Sequence, residues 1–578
     1  MLGENPRMSK VIVFATPVFL LLIALEFAWS RTAASRTRGQ TPYRLNDAIN
    51  SISLGVLSQL AGVLGKLLTI GIYTAVFSAV ALVPQPAFWS SWYGVLLALV
   101  FYDLCYYWLH RAGHVVAVFW AAHVVHHQSQ HYNLSTALRQ TSSGLLLGWI
   151  FYLPMALAGV PPAVFGTVLL IDLLYQFWVH TEQVGKLGWF DRVFCSPSNH
   201  RVHHAVNDPY IDKNYGGILV LWDRLFGTFQ EEREPCVYGT RGALNSWDPL
   251  WANVDVYWAL AKDSWRTKNW GDKLRIWFKP PGWQPADLAQ AHPKPAFTLA
   301  SVTTFNPPLT AAQQWFAGLQ FVLMLGAVSA FLWVADALPA SEAAIWCAAI
   351  ASGVWATGRF MQGRLSALEV LVVESAALAT LGALGLLGTY YLFKPLAMVL
   401  AIVFVAMRAV SAGAIARFDA FLMAALVFSL AGDVFLMLPG NYFIPGLASF
   451  LVAHLFYIAL FRQGCAWFAN RRALALVLGV GAVMYAIVWG GLGDPVLKGA
   501  VAAYVTVISL MAAQALGRAT VRGDAAARWV AAGACIFMVS DALIAINKFV
   551  TPVPLDSLWI LATYYAAQLL IVHNAHRD

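Results

Sequence analysis

The feature that most restricts this chain is the recurrence of apolar runs long enough to cross a bilayer. A spanning helix needs about 20 apolar residues, and roughly fifteen such runs can be marked. They lie near 11 to 30, 64 to 83, 89 to 109, 143 to 160, 162 to 180, 312 to 335, 340 to 360, 366 to 392, 395 to 413, 420 to 438, 442 to 461, 473 to 491, 496 to 516, 529 to 546 and 555 to 573. A mean hydropathy of +0.63 with only 11% charged residues lies outside the range of soluble globular chains. The expected fold class is an all-α polytopic membrane protein with about 15 transmembrane helices.

Arginines set the expected orientation. Arg31, Arg36, Arg38 and Arg44 follow the first run, whereas only Arg7 and Lys10 precede it, which places the N-terminus outside and the following loop in the cytoplasm. Threading on from there makes cytoplasmic the loops that hold Arg359 and Arg364, Arg462 with Arg471 and Arg472, and Arg518 with Arg522 and Arg528. The small residues Thr32, Ala33 and Ala34 could follow a cleavable leader, but the first run is longer than a usual leader core and its basic residues come mostly after it. The net charge of +8 sits largely in these loops, and no basic stripe interleaved with aromatics suggests nucleic acid. Cysteines 105, 195, 236, 347, 465 and 535 form no CxxC pair, which points to reduced, packed thiols.

One long polar stretch, about 181 to 309, interrupts the pattern and is expected to fold as a cytoplasmic cap. A domain boundary is expected near Gly363 to Leu365, dividing the chain into 1–364 and 365–578. Histidines separate the two parts. Ten of the fourteen lie between 110 and 204, as His110-Arg-Ala-Gly-His114, His123-Val-Val-His126-His127, His180 and His200-Arg-Val-His203-His204, with His131 outside the pattern as an expected surface residue. Residues three and four apart share a helix face, so each motif is a ready chelating group. Nine imidazoles exceed the needs of one metal and would suit two, so the cap is expected to carry a His-rich di-metal site. Imidazole serves Zn, Cu, Fe and Ni alike. Asp103 and Tyr107 share a face with His110, as Asp172 and Gln176 do with His180, and these are expected to hold the outer ring nitrogens.

These motifs, in "FYDLCYYWLHRAGH", "AAHVVHHQSQHYNLSTALRQ", "FWVHTE", "NHRVHHA" and "DKNYGGILVLWDRLFGTF", resemble the fatty acid hydroxylase and sterol desaturase superfamily, most closely its alkylglycerol monooxygenase branch. The resemblance is dense over about residues 40 to 290. It implies a non-haem di-iron centre on His110, His114, His123, His126, His127, His180, His200, His203 and His204, with O2 as oxidant and tetrahydropterin as reductant. It also implies hydroxylation of the carbon beside an ether oxygen, giving a hemiacetal that falls apart to fatty aldehyde and glycerol. Members often carry a further histidine where this chain has Asn199, which leaves one ligand position open. The cap between 205 and 309 is the sizeable soluble part that could hold a pterin.

Beyond residue 365, the ionisable or strongly polar residues that stand out within the apolar runs are Lys394, Asp433, His454, Asp541 and Lys548, with Asn547, Tyr564 and Gln568 nearby. Asp433 and Asp541 lie at similar depth, where two carboxyls cannot both ionise cheaply, so one is expected to act as an acid. "LVFSLAGDVFLM", "FLVAHLFYIALF", "CIFMVSDALIAINKF" and "ATYYAAQLLIV" resemble the lysoplasmalogenase-like YhhN family of eight-helix membrane proteins. That resemblance implies hydrolysis of a vinyl ether without metal or redox cofactor, with Asp433 and Asp541 at the catalytic positions.

The combined expectation is an ether-lipid cleavage enzyme of the bacterial inner membrane, its metal site on the cytoplasmic face and its lipid substrate in the bilayer. Oxidation in one half and hydration in the other would both release fatty aldehyde. Two alternatives stand beside it: a hydroxylase or desaturase of an acyl chain or sterol with a non-catalytic C-terminal domain, and a metal transporter or store. Against the latter, no His or acidic ladder continues through the first-half helices.

Overall fold

The computed structural model describes residues 8–32, 43–65, 67–82 and 85–576. Arg7, Arg36 and Arg38, three of the residues used to orient the chain, lie outside them, as do Ala33 and Ala34. Among the described residues the fold is all-α, with two isolated β-bridges and no strand. The chain is an integral membrane protein: among the described residues ten helices are long and apolar enough to cross a bilayer.

Nine of the ten coincide with runs marked in the sequence, and the tenth, Leu45–Leu64, does not. Its first turns carry Asn46, Asp47, Asn50, Ser51 and Ser53, which dilute the apolar signal yet are all buried, with Asp47, Asn50 and Ser51 against Ser129, Trp247 O and Arg139. The run near 64 to 83 is no single helix; it is a π-helical turn, Leu67–Gly71, leading into the nine-residue helix Ile72–Val80. The run near 143 to 160 breaks into Gly144–Leu147, a 3-10 turn Gly148–Tyr152 and Leu153–Leu157, and Pro162–Trp178 has only 17 residues. Ala367–Gly382 has 16 residues, while Ala340–Met361 and Asp556–Asn574 are long enough but not among the ten.

The described residues form two compact units, Met1–Leu338 with Thr357–Gly363, and Pro339–Ala356 with Arg364–Asp578. The division passes through the helix Ala340–Met361.

In the first unit, Trp92–Val115 begins where Ser91 Oγ accepts from Gly94 N, an N-cap that satisfies one of the orphan donors of the first turn. The helix does not stop at the end of the apolar run. It carries the polar face "HRAGH" for another turn and a half, ends at Val115, and restarts after Val116 as Ala117–His127. Val116 is extended (φ −125°, ψ 121°), and this single residue folds the second helix back so that His123 faces His110. Below the histidines, Tyr73 stacks on Phe165 (4.1 Å) and Tyr102 on Tyr152 (4.8 Å), a buried aromatic layer that locks the broken helix and Pro162–Trp178 against Trp92–Val115.

The second unit contains eight helices from Ala367–Gly382 to Asp556–Asn574, in agreement with the eight runs expected there. Small residues let neighbours approach: a Cβ on Gly432 would stand 2.6 Å from the Phe450 ring, and one on Gly382 2.4 Å from Tyr390 N. Without a hydrophobic drive between helices in lipid, such close packing is what holds them together.

Candidate functional site

The structure brings all nine singled-out histidines into two adjacent groups. His110, His114, His123, His127 and His203 form the first; His126, His180, His200 and His204 form the second; within each, the candidate ligand atoms lie within 4.8 Å of one another. Helix geometry does the sorting. Residues four apart differ by about 40° around the axis and residues three apart by about 60° the other way. The pairs 110/114, 123/127 and 200/204 therefore stay together, while His126 and His203, from the i+3 positions, each cross to the other group. Sequence reading kept each HxxHH motif whole, whereas the fold makes each one bridge two sites.

Four of the outer ring nitrogens are held by backbone carbonyls. His110 Nδ1 donates to Tyr215 O (2.8 Å), His126 Nδ1 to Arg139 O (2.9 Å), His180 Nδ1 to Gln176 O (2.8 Å) and His203 Nδ1 to Lys213 O (3.0 Å). A carbonyl only accepts, so each of these Nδ1 atoms carries the proton and the corresponding Nε2 presents a bare lone pair. His126 Nε2 and His180 Nε2 are then 3.1 Å apart with no proton between them. Two lone pairs meeting in a buried site repel unless a cation lies between them. The remaining Nε2 contacts, 110–123, 123–127, 180–200 and 200–204, fall between 3.0 and 3.2 Å. With imidazole bonds of about 2.1 Å, ligands at right angles stand about 3.0 Å apart and tetrahedral ones about 3.4 Å. The observed contacts fall between these two values, close enough for neighbouring rings to share a metal ion. Burial pushes His123, His127, His180, His200, His203 and His204 well below the ordinary imidazole range and His126 to about 4, which keeps them neutral and able to ligate.

The expected carboxylate partners act differently. Asp103 accepts from Ile218 N (2.8 Å), Leu219 N (2.9 Å) and Trp222 Nε1 (2.9 Å), and Asp223 takes Tyr215 N (2.7 Å) and Gly216 N (2.8 Å). Together they clamp the loop whose Tyr215 carbonyl orients His110. Asp172 accepts from Gln176 Nε2 (2.5 Å), and Gln176 Oε1 accepts from Tyr106. Tyr107 bonds Thr228 rather than a histidine. The carboxylates thus reach His110 and His180 through backbone, because each of these two rings has a carbonyl closer to hand. Asn199 donates to Asp191 O and Phe194 O, so it ties the start of its helix to the segment just before it. His131 is half-buried and belongs to neither group.

Sequence reasoning missed several supports. Arg139, fully buried, donates to Val125 O, Asn50 Oδ1 and Gln128 Oε1 while its own carbonyl holds His126. Glu26 accepts from Tyr43 OH, Thr181 Oγ1 and Leu134 N, tying the first helix to the loops around His131 and His180. Polar residues inside apolar runs were the available signal. Beside the second group, a cavity of about 260 Å³ is walled by apolar residues including Phe19, Ile52, Leu173 and Val328, and its polar lining includes Tyr106, Asp172, Gln176 and His180.

In the second unit, Asp433 and Asp541 each lie sixteen residues into their helices, Arg417–Met437 and Ala525–Phe549. Asp433 accepts from Tyr564 OH (2.5 Å) and pairs with Lys394 Nζ (3.5 Å), which also donates to Tyr390. Asp541 accepts from Tyr504 OH, and His454 Nε2 lies 3.0 Å from that hydroxyl and 3.6 Å from the carboxylate. Phe537 touches both Tyr564 (5.5 Å between centroids) and His454 (4.9 Å), so one ring links the two clusters. Asp541 and Tyr504 line an apolar cavity of about 90 Å³. Gln568 joins Tyr457 and Tyr564. Asn547 and Lys548 stand apart, Asn547 bonding Asp556 and Lys548 lying over Phe443. Tyr504, Tyr390 and Tyr457 went unnoticed in the sequence, where a hydroxyl is hidden inside an aromatic count.

Comparison with known proteins agrees with both geometries. Residues 95–228 match the fatty acid hydroxylase family and residues 389–575 the YhhN family. The alkylglycerol monooxygenase of Homo sapiens is 39% identical over 316 residues, covering 54% of this chain and 68% of the relative. The chain belongs to the alkylglycerol monooxygenase family. The Danio rerio relative of the same name is 36% identical over 56% of this chain and 72% of its own length. Part of the chain is also 37% identical to the lysoplasmalogenase TMEM86A of Homo sapiens, over 26% of this chain and 62% of the relative. No solved structure matches the chain.

Proposed function

We propose that this chain is a bifunctional ether-lipid cleavage enzyme of the bacterial inner membrane, with domains at 1–364 and 365–578 and its metal site on the cytoplasmic face. Its first domain would be a di-iron, O2- and tetrahydropterin-dependent monooxygenase of alkylglycerols, its second a hydrolase of lysoplasmalogen vinyl ethers. The observation that carries the first assignment is the pair of bare, facing Nε2 atoms of His126 and His180 beside an apolar cavity. When bound, two irons on the nine histidines would activate O2 for insertion of one oxygen atom beside the ether oxygen. The chain's own contribution is position. The cavity walls would hold the alkyl chain, and Tyr106, Asp172 and Gln176 would hold the polar end near His180. The hemiacetal so formed collapses to fatty aldehyde and glycerol.

In the second domain, Asp541 faces the apolar cavity beside neutral Tyr504, a setting suited to delivering a proton to the vinyl carbon. Asp433, ion-paired with Lys394, is suited to accept a proton from the water that adds to the oxocarbenium. The resemblance to a lysoplasmalogenase supports this half. The test is product analysis on the purified full chain: iron content, then aldehyde release from alkylglycerol with tetrahydropterin and O2, and from lysoplasmalogen without them. Asp433→Asn and Asp541→Asn should each abolish the second reaction and spare the first. Iron-free protein with full alkylglycerol activity, or intact vinyl-ether hydrolysis in both variants, would overturn the respective half.

A further inference from the structure

The cap carries a pair of helices that neither reaction uses. Pro249–Arg266 and Trp270–Phe278 are joined by Thr267, Lys268 and Asn269, and the joint is tight: Trp277 Nε1 donates to Ser264 Oγ, and Lys273 Nζ donates to the carbonyls of Ser264, Trp265 and Thr267. On the first helix Trp251, Val254, Trp258 and Trp265 fall within one narrow arc, and on the second Trp270, Leu274 and Phe278 share a face. All seven are exposed, Trp265 and Trp270 by 87% and 82%. Seven large apolar side chains on one short element are too many to leave in water.

The pair is stitched to the chain at the points where apolar segments begin or end. Asn253 Oδ1 accepts from Ser142 N and Tyr257 OH bonds Ser143, immediately before the broken helix that starts at Gly144. Lys279 O accepts from Ala117 N, two residues past the end of the span Trp92–Val115. Trp247 O, just upstream, accepts from Asn50 in the first turns of Leu45–Leu64. Exposed Lys262, Arg266, Lys268 and Lys279 border the aromatic faces, while Lys273 is spent on carbonyls. Tryptophan favours the headgroup level, and lysine and arginine beside it favour anionic lipid.

We infer that residues 249–279 form an interfacial element that lies in the headgroup layer of an anionic leaflet, with the Trp-rich faces turned into the lipid. The full protein in lipid nanodiscs tests this by nitroxide labels on Trp265→Cys and Leu274→Cys, with Arg233→Cys as a water-exposed reference and the unsubstituted protein as the labelling background. Both substituted side chains are exposed, so folding is not at stake. With phosphatidylglycerol in the disc, relaxation by oxygen should exceed relaxation by a water-soluble nickel chelate at 265 and 274, with the reverse at 233, and the difference should shrink severalfold in discs of phosphatidylcholine alone. Nickel access at 265 and 274 equal to that at 233 would overturn the inference. Spin–spin broadening that disappears on dilution with unlabelled chain would also overturn it, and would assign the face to a second copy.

Discussion

Asp103→Asn tests whether the carboxylates serve the histidines through backbone. Asp103 takes three donors, Ile218 N, Leu219 N and Trp222 Nε1. An asparagine amide has one accepting oxygen; turned toward Leu219 and Trp222, it points its own N–H groups at Ile218 N. One charge-assisted bond is lost, two become neutral and a buried donor is left unpaired, a cost of about 3 to 6 kcal/mol to the loop. Asp223 holds the same loop at Tyr215 and Gly216, so only part of this reaches the Tyr215 carbonyl and His110. Loss of an outer partner typically weakens a metal site about 10- to 100-fold, or about 1.4 to 2.8 kcal/mol, which fits that share. The assay is metal content per chain after equilibration against a graded chelator. The variant should release metal earlier from the first histidine group and keep that of the second. Two metals held with an unchanged midpoint would show that the loop clamp does not orient His110.

Gly217→Ala should reproduce that defect without removing any polar group, because a Cβ there would stand 2.8 Å from Asp172 Oδ1, 2.9 Å from Tyr106 and 3.0 Å from Asp103 Oδ1; overpacking of this kind costs about 1 to 3 kcal/mol, read as a lower unfolding temperature. His126→Ala should leave the five-histidine group loaded and empty the four-histidine one, halving bound metal by elemental analysis. Metal-free protein should lose stability as pH falls from 6.5 toward 4. Below 6.5 the unfolded chain takes up a proton that folded His126 refuses until about 4, a difference worth about 3 kcal/mol for that residue alone. Unfolding curves of the metal-free protein at pH 7.5 and 5 that coincide would contradict the burial of these rings.

The amino-acid order by itself determined that the chain is helical and membrane-embedded and singled out the nine histidines that the fold gathers, because apolar length and i, i+4 spacing are local properties. It also marked Asp433 and Asp541, since an acid in an apolar run stands out wherever the run folds. Only the tertiary structure decided how the histidines divide into five and four, because that depends on the extended residue Val116 and on His203 approaching from a separate helix. The outer partners were equally illegible: a backbone carbonyl such as Tyr215 O or Arg139 O has no side-chain signature, and its position is set by loops closed over long sequence separations. The helix Leu45–Leu64 escaped notice for the same reason, its polar first turns becoming acceptable in an apolar setting only once Arg139 and Trp247 arrive to satisfy Asn50.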